Sequence, residues 1–342
     1  MQPLQRSWLG RGVLAWSLRP LAALYGLAWR IHRALYRHGW RHAERLPVPV
    51  IVVGNLIVGG AGKTPTVRAV VAALAAHGWH PGIVSRGYGR HADGVSLVTT
   101  DSAAEAVGDE PLLLRRATGA PVAVGRDRPA AARALLDHAP LVDVIVADDG
   151  LQHLALARDV EVLVFDERGA GNGWLLPAGP LREPLPRVLA PNQLVLYNAA
   201  APSTPLPGWL ARRRLAGAAP LEAWWHGAPP DAQALDALRG RTVWATAGMA
   251  QPGRYFDMLR AAGLDVTPLA LPDHHDYRAL PWPDGVDVLV TEKDAVKLAP
   301  ARCTGARVWV VALDFEPDAD FTARLLALLP PRPTADDGHP PD

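Results

Sequence analysis

The sequence predicts an α/β fold: a largely parallel sheet flanked by helices, a second, smaller α/β unit, and an amphipathic helix at the N-terminus. Three observations predict it. From residue 47 onward, short β-rich runs alternate with helical patterns, the signature of parallel strands joined by helical crossovers. The alternation breaks at a Pro-, Ala- and Ser-rich stretch over 199–207 and resumes beyond it. The first 42 residues carry seven arginines and no acid, unlike the rest of the chain. The expected units are therefore residues 1–45 (amphipathic helix), 46–200 (core unit), 201–330 (smaller α/β unit) and 331–342 (a polar, Pro-rich tail expected to be disordered).

Composition bounds the function classes. With 342 residues, 49% of them hydrophobic, the chain can bury a large core and is not globally disordered. A formal net charge of +1 gives no whole-chain reason to expect a nucleic-acid partner. The single cysteine, Cys303, excludes an intramolecular disulfide framework and a cysteine-cluster metal site.

In chain order, the N-terminal stretch comes first. Arg11, Arg19 and Arg30 interrupt every apolar run, so none is long enough to span a bilayer. Arg19-Pro20 splits the apolar region, which fits a cleaved signal peptide poorly. At helical spacing, Leu21, Leu24, Tyr25, Ala28, His32, Leu35 and Tyr36 share one face, and Arg30, Arg33, Arg37 and Arg41 the opposite one. Trp8, Trp16, Trp29 and Trp40 lie among them. Arginine and aromatics so divided suit a helix lying in an anionic membrane surface, the plainer option being a helix packed on the protein's own core. Strands are expected over 47–53, 82–85, 121–124, 142–147, 160–165 and 193–197, with helices over 66–77, 111–118 and 129–138. Past the break, strands are expected over 242–247, 266–271, 286–291 and 308–313, with helices starting at Gly253 and Asp318.

The first strand runs into Ile57-Val58-Gly59-Gly60-Ala61-Gly62-Lys63-Thr64-Pro65. Strand, glycine-rich loop, Lys-Thr and helix make the phosphate-loop context. Glycines let backbone N–H groups curl round phosphate oxygens, and the helix N-terminus adds its dipole. Lys63 can reach the β- and γ-phosphates, and the Thr64 hydroxyl can bind Mg²⁺. The usual first glycine is Ile57 here, so the loop is a variant. Residues 57–64 are the expected nucleotide contacts, and the fold is accordingly P-loop NTPase-like.

The apolar run 144–147 ends in Asp148-Asp149-Gly150, a carboxylate pair at a strand end beside the phosphate loop, where Mg²⁺ is held. Gly108-Asp109-Glu110-Pro111 opens a Leu-rich helix. There Asp109 is either a helix cap or, with Glu110, a carboxylate pointing into the nucleotide cleft. Asp273-His274-His275-Asp276 comes from the second unit; adjacent histidines cannot both face one metal, which disfavours zinc.

These stretches, in order, resemble the tetraacyldisaccharide 4′-kinase family, the lipid A 4′-kinases. The resemblance rests on the 53–65 loop, Ser85-Arg86-Gly87-Tyr88-Gly89, Gly108-Asp109-Glu110-Pro111, Asp148-Asp149-Gly150-Leu151-Gln152-His153, the 171–184 block with Leu176-Pro177-Ala178-Gly179-Pro180-Leu181-Arg182-Glu183-Pro184, Asp273-His274, and Thr291-Glu292-Lys293-Asp294-Ala295-Val296-Lys297. It implies transfer of the γ-phosphoryl of ATP to the 4′-hydroxyl of a tetraacylated glucosamine disaccharide 1-phosphate, a step of lipid A biosynthesis giving lipid IVA. It places the enzyme at the cytoplasmic face of the inner membrane, where the acceptor's acyl chains stay in the bilayer. Carried over by motif, Asp109 and His274 form the acid–base dyad and Lys63 completes the catalytic set. Thr64, Asp149, Asp148 and Glu110 are the Mg²⁺ candidates. Arg86, Tyr88, Arg128 and Asn172 are candidates for the acceptor. No obligate protein partner and no nucleic acid are implied. The rival is a membrane-associated P-loop NTPase switch without a lipid acceptor. Many such switches carry a lysine directly before the first of the paired glycines, where this chain has Val58.

Overall fold

A computed structural model of the chain describes residues 3–90, 92–249, 252–272 and 275–332. Its centre is one twelve-stranded sheet. The strands are β1 (Val50–Gly54), β2 (Pro81–Ser85), β3 (Ser96–Val98), β4 (Val122–Val124), β5 (Val144–Asp148), β6 (Val160–Asp166), β7 (Gln193–Asn198), β8 (Trp209–Pro220), β9 (Thr242–Ala247), β10 (Asp265–Ala270), β11 (Asp287–Thr291) and β12 (Arg307–Pro317). Their order across the sheet is β10-β9-β11-β12-β8-β7-β6-β1-β5-β2-β4-β3.

The central strands read as unbroken apolar runs because both faces are covered. In β1, Ile51 and Val53 join one core cluster and Val50 and Val52 the other, as the two-residue period of a strand requires. β1 lies between β5 and β6 and is parallel to both, with Val53 in register with Asp148. This parallel array brings the ends of β1, β2, β5, β6 and β7 to one edge, where the glycine-rich loop, Ser85, Asp148, Asp166 and Asn198 sit together. Ligands of open parallel sheets bind at such an edge.

Every strand expected from the sequence is present. Two were not expected: the short antiparallel β3, and β8. β8 starts just past the Pro/Ala/Ser-rich break. It pairs parallel with β7 and antiparallel with β12, so the two expected units share a sheet. One core cluster likewise runs from Ile51 and Val162 to Val290, Val310 and Phe321. Three consecutive arginines and a register shift opposite Ala312/Leu313 hide the alternation of β8 from a sequence reading.

The N-terminal segment forms helices Pro3–Ser7, Val13–Ser17 and Arg19–Arg37. The last is docked. Ala22 and Gly26 are buried, and a Cβ on Gly26 would stand 2.9 Å from Leu175 Cδ1. The Tyr25 hydroxyl donates to the Arg182 carbonyl at 2.7 Å, and Arg33 pairs with Glu183 at 3.6 Å. The apolar face read from the sequence is therefore split. Tyr25, His32 and Tyr36 turn toward the protein, while Leu21, Leu24, Leu27 and Ile31 are each more than half exposed. No helix among the described residues is long and apolar enough to cross a membrane.

Candidate active site

The phosphate loop is built as its sequence demands. Gly59 and Gly62 both take φ of +96°, a backbone state that favours glycine. Gly62 also has no room for a side chain: a Cβ there would meet the Asn198 amide nitrogen at 2.2 Å. Asn198, at the end of β7, donates to the Ala61 carbonyl and braces the loop from behind. Asn55 donates to the Gly59 carbonyl and accepts from Lys63 Nζ at 3.2 Å, which aims the lysine along the loop. Pro65 falls in the first turn of the helix Lys63–Ala76, where no backbone hydrogen bond is lost.

Two of the expected nucleotide contacts serve the scaffold instead. Ile57 is fully buried in the core and bridged to Leu181, and the Val58 N–H donates to the Pro180 carbonyl. The missing first glycine is thus an anchor to the 174–182 block. The cavity of about 200 Å³ over the loop is lined by Gly60, Gly62, Lys63 and Thr64, facing Arg213, Met249, Arg254 and Lys293 from beyond the break.

The two aspartates at the end of β5 diverge. Asp148 is buried; its Oδ2 accepts from Ser85 Oγ at 2.9 Å, and its Oδ1 has no partner among the described residues. Burial first, then the carboxylates of Glu110 and Asp149, push Asp148 up to about 7. Asp149 takes a left-handed φ of +50°, which aspartate tolerates. That turn brings it to Arg182 Nη1 at 2.9 Å and within 3.8 Å of Lys63 Nζ. Glu110 accepts from Lys293 Nζ at 3.1 Å across the cavity.

Asp109 is buried at the start of the helix Asp109–Thr118, and its Oδ1 accepts from the Glu110 N–H at 2.9 Å. The capping position belongs to Gly108, whose φ of +95° lets it pack on the backbone of Gly87 and Tyr88. This contact sets the Arg86 and Tyr88 loop beside Asp109; both of those side chains are exposed, Tyr88 at 68%. His274 and Asp273 lie outside the described residues.

Two expected acceptor contacts also hold the scaffold. Asn172 is buried, its amide donates to the carbonyls of Gly10 and Ala178, and its Oδ1 accepts from the Trp174 N–H. It clamps the N-terminal turn to the 172–178 loop. Arg128 is also buried, donating to the carbonyls of Gly125 and Asp148, and its desolvated guanidinium falls to about 10. It fixes the strand end that carries the aspartates.

Several site residues were not singled out from the sequence. Asn55, Ser85, Arg182 and Lys293 lie within the quoted motifs, but only the fold shows which neighbours they meet. A second cavity of about 280 Å³ lies between the docked N-terminal helix and the 151–154 and 182–183 segments, lined by Tyr25, Trp29, His32, Arg33, Gln152 and Arg182 among others.

The model of the family described as tetraacyldisaccharide-1-P 4′-kinase matches residues 14–330. The chain belongs to that family. It is 60% identical over 338 residues to a tetraacyldisaccharide 4′-kinase of Methylibium petroleiphilum, covering 96% of this chain and 94% of the relative. The corresponding protein of Leptothrix cholodnii is 58% identical, covering 96% of each. Among solved structures, the "apo" form of LpxK from Aquifex aeolicus in complex with ATP matches with a TM-score of 0.78 and 28% identity, over 93% of this chain and all of that one. Family membership brings with it phosphotransfer to an alcohol in lipid A biosynthesis and makes ATP the co-substrate; the NTPase-switch rival is not favoured.

Proposed function

We propose that this chain transfers the γ-phosphoryl of ATP to the 4′-hydroxyl of a tetraacylated glucosamine disaccharide 1-phosphate while its N-terminal helix rests on the bilayer holding that acceptor. One observation carries the reading. A continuous chain of contacts runs from Lys63 through Asp149 and Arg182 to Tyr25 of a helix whose outer face is apolar. Phosphate chemistry and a lipid-facing surface are thereby parts of one site.

The residues divide the work as follows. Gly60, Gly62, Lys63 and Thr64 hold the donor's phosphates, with Lys63 placed to neutralise charge that grows in the transition state. Thr64, Asp148 and Glu110 would hold Mg²⁺, with Asp149 alongside. The fit is supported by the Asp148 Oδ1 that has no partner among the described residues, and by the burial and neighbouring carboxylates that together raise its pKa. Among the described residues no three or more His, Cys, Asp or Glu side chains form a ready metal cage. Mg²⁺ does not need one, since it takes one or two carboxylates and completes its shell with water and phosphate oxygens. When bound, it neutralises charge on the β- and γ-phosphate oxygens. Asp109 accepts the proton of the attacking hydroxyl, with His274 as its partner. Arg86 and Tyr88 face the acceptor from the loop beside Asp109, and the cavity under the N-terminal helix takes part of the lipid. The enzyme then sits at the cytoplasmic face of the inner membrane as a surface-bound protein.

The test is a transfer assay with γ-labelled ATP, Mg²⁺ and the acylated disaccharide 1-phosphate in mixed micelles. Label is expected in the lipid and absent with Lys63→Ala. Asp109→Ala is expected to lose roughly 10²–10⁴ in kcat while still binding ATP. Label found only in free phosphate would overturn the reading in favour of an NTPase switch.

A further inference from the structure

We infer that Arg213, a residue of β8 outside every phosphate-binding motif of the chain, binds the phosphate chain of the nucleotide from the side opposite the glycine-rich loop. This rests on the reading of ATP as the donor. Five basic side chains line the cavity over the loop: Lys63, Arg68, Arg213, Arg254 and Lys293. Four are matched. Lys63 donates to Asn55, Arg68 to Glu292 and Lys293 to Glu110, and Arg254 pairs with Glu167. Arg213 makes no hydrogen bond and no ion pair among the described residues, and its Nε is buried without a partner.

The nearest acid does not satisfy it. Asp166, the acid whose charge reaches it, already accepts from Arg168 through both oxygens at 3.1 and 2.9 Å. Burial pulls the Arg213 guanidinium below the ordinary arginine value, but arginine stays charged at any working pH. A half-buried guanidinium whose Nε is shut off from water and unbonded is costly to hold, and an arriving anion offsets that cost. The planar fork of arginine suits two phosphate oxygens at once.

Its position explains how it gets there. β7 ends at Asn198, and β8 pairs with it only through Trp209 and Leu210. Beyond that point β8 runs along β12, Arg213 opposite Phe315. Arg213 therefore emerges where the sheet opens beside the loop, sharing the cavity wall with Val311 and Leu313 of β12. The sequence shows only three consecutive arginines; Arg212 and Arg214 are exposed, and Arg213 alone is turned inward.

The test is Arg213→Met, compared with wild type and Lys63→Ala in the full chain. Three quantities are read: melting temperature without nucleotide, its rise with ATP or with inorganic tripolyphosphate, and the transfer kinetics. Without ligand, the variant should melt at or above the wild-type temperature, because a half-buried cation with a buried, unbonded N–H has been removed. The apparent affinity for both ATP and tripolyphosphate should fall roughly 10- to 100-fold, as for the loss of a charge-assisted hydrogen bond. KM for ATP should rise in step, with kcat at saturating ATP within about twofold and KM for the lipid unchanged. A lower melting temperature without ligand would make Arg213 structural and overturn the inference. Unchanged ATP affinity would overturn it too, as would loss of ATP binding with tripolyphosphate binding intact, which would place the contact on the nucleoside. If wild type itself showed no ATP-dependent, Lys63-dependent stabilisation, the donor reading would fail rather than the role of Arg213 within it.

Discussion

Asp148 faces Glu110 and Asp149 with one oxygen on Ser85 and the other on nothing. Its folded pKa is raised from an ordinary 3.8 to about 7, so between these values the folded chain holds more protons than the unfolded one. Stability therefore falls as pH rises through that window, and the whole cost is present above about pH 7. Asp148→Asn should melt higher than wild type at pH 8 without Mg²⁺, yet lose transfer by 10²-fold or more, on the order of an electrostatic contact made in the transition state. A lower melting temperature would contradict the electrostatic account. His153 behaves in the opposite sense. Burial, then Arg128 and Arg158, depress it from 6.5 to about 4, so the unfolded chain binds the proton first. Its contribution is present above pH 6.5 and is lost as pH falls toward 4. His153→Gln should flatten the decline in denaturant midpoint between pH 6.5 and 5, with wild type as reference. At this scale the chemistry was legible and the division of labour was not. An apolar run ended by two acids announces a carboxylate pair at a strand end. Which acid turns away depends on Arg182, 33 residues further on. Nothing in the sequence reveals that the Asn172 amide is shared between Gly10 and Ala178.

Among the elements, the helix Arg19–Arg37 has two apolar faces with different fates. Ala22, Tyr25 and Gly26 meet the 175–183 block, while Leu24, Leu27 and Ile31 face outward on the adjoining arc. Replacing those three outward residues by aspartate should leave the melting temperature nearly unchanged. It should cut sedimentation with anionic vesicles at least about tenfold, since each side chain contributes its own apolar burial at the interface. Persistent vesicle binding by the triple variant would place the membrane contact elsewhere. Periodicity showed that this helix was amphipathic, but it could not show that one part of the apolar face was already taken. Strands buried on both faces were legible as solid Val/Ile runs. β8 was not, because its pairing partners, and not its own pattern, make it a strand.

On the scale of the molecule, β8 joins the two expected units as a shared beam, and one apolar cluster crosses both halves. Unfolding should be a single event. Far-ultraviolet circular dichroism and tryptophan fluorescence should give coincident denaturant curves. Separate midpoints would show that the half beyond β8 melts alone. A last consequence concerns time. The docked face of the N-terminal helix closes on a carbonyl 157 residues downstream. A ribosome adding about 5–20 residues per second needs roughly ten to thirty seconds to make that distance. For that interval the nascent helix has no native partner on either face, and a bilayer or a chaperone can seize it first. The order of synthesis thus leaves the helix open to other surfaces until the 175–183 block is made.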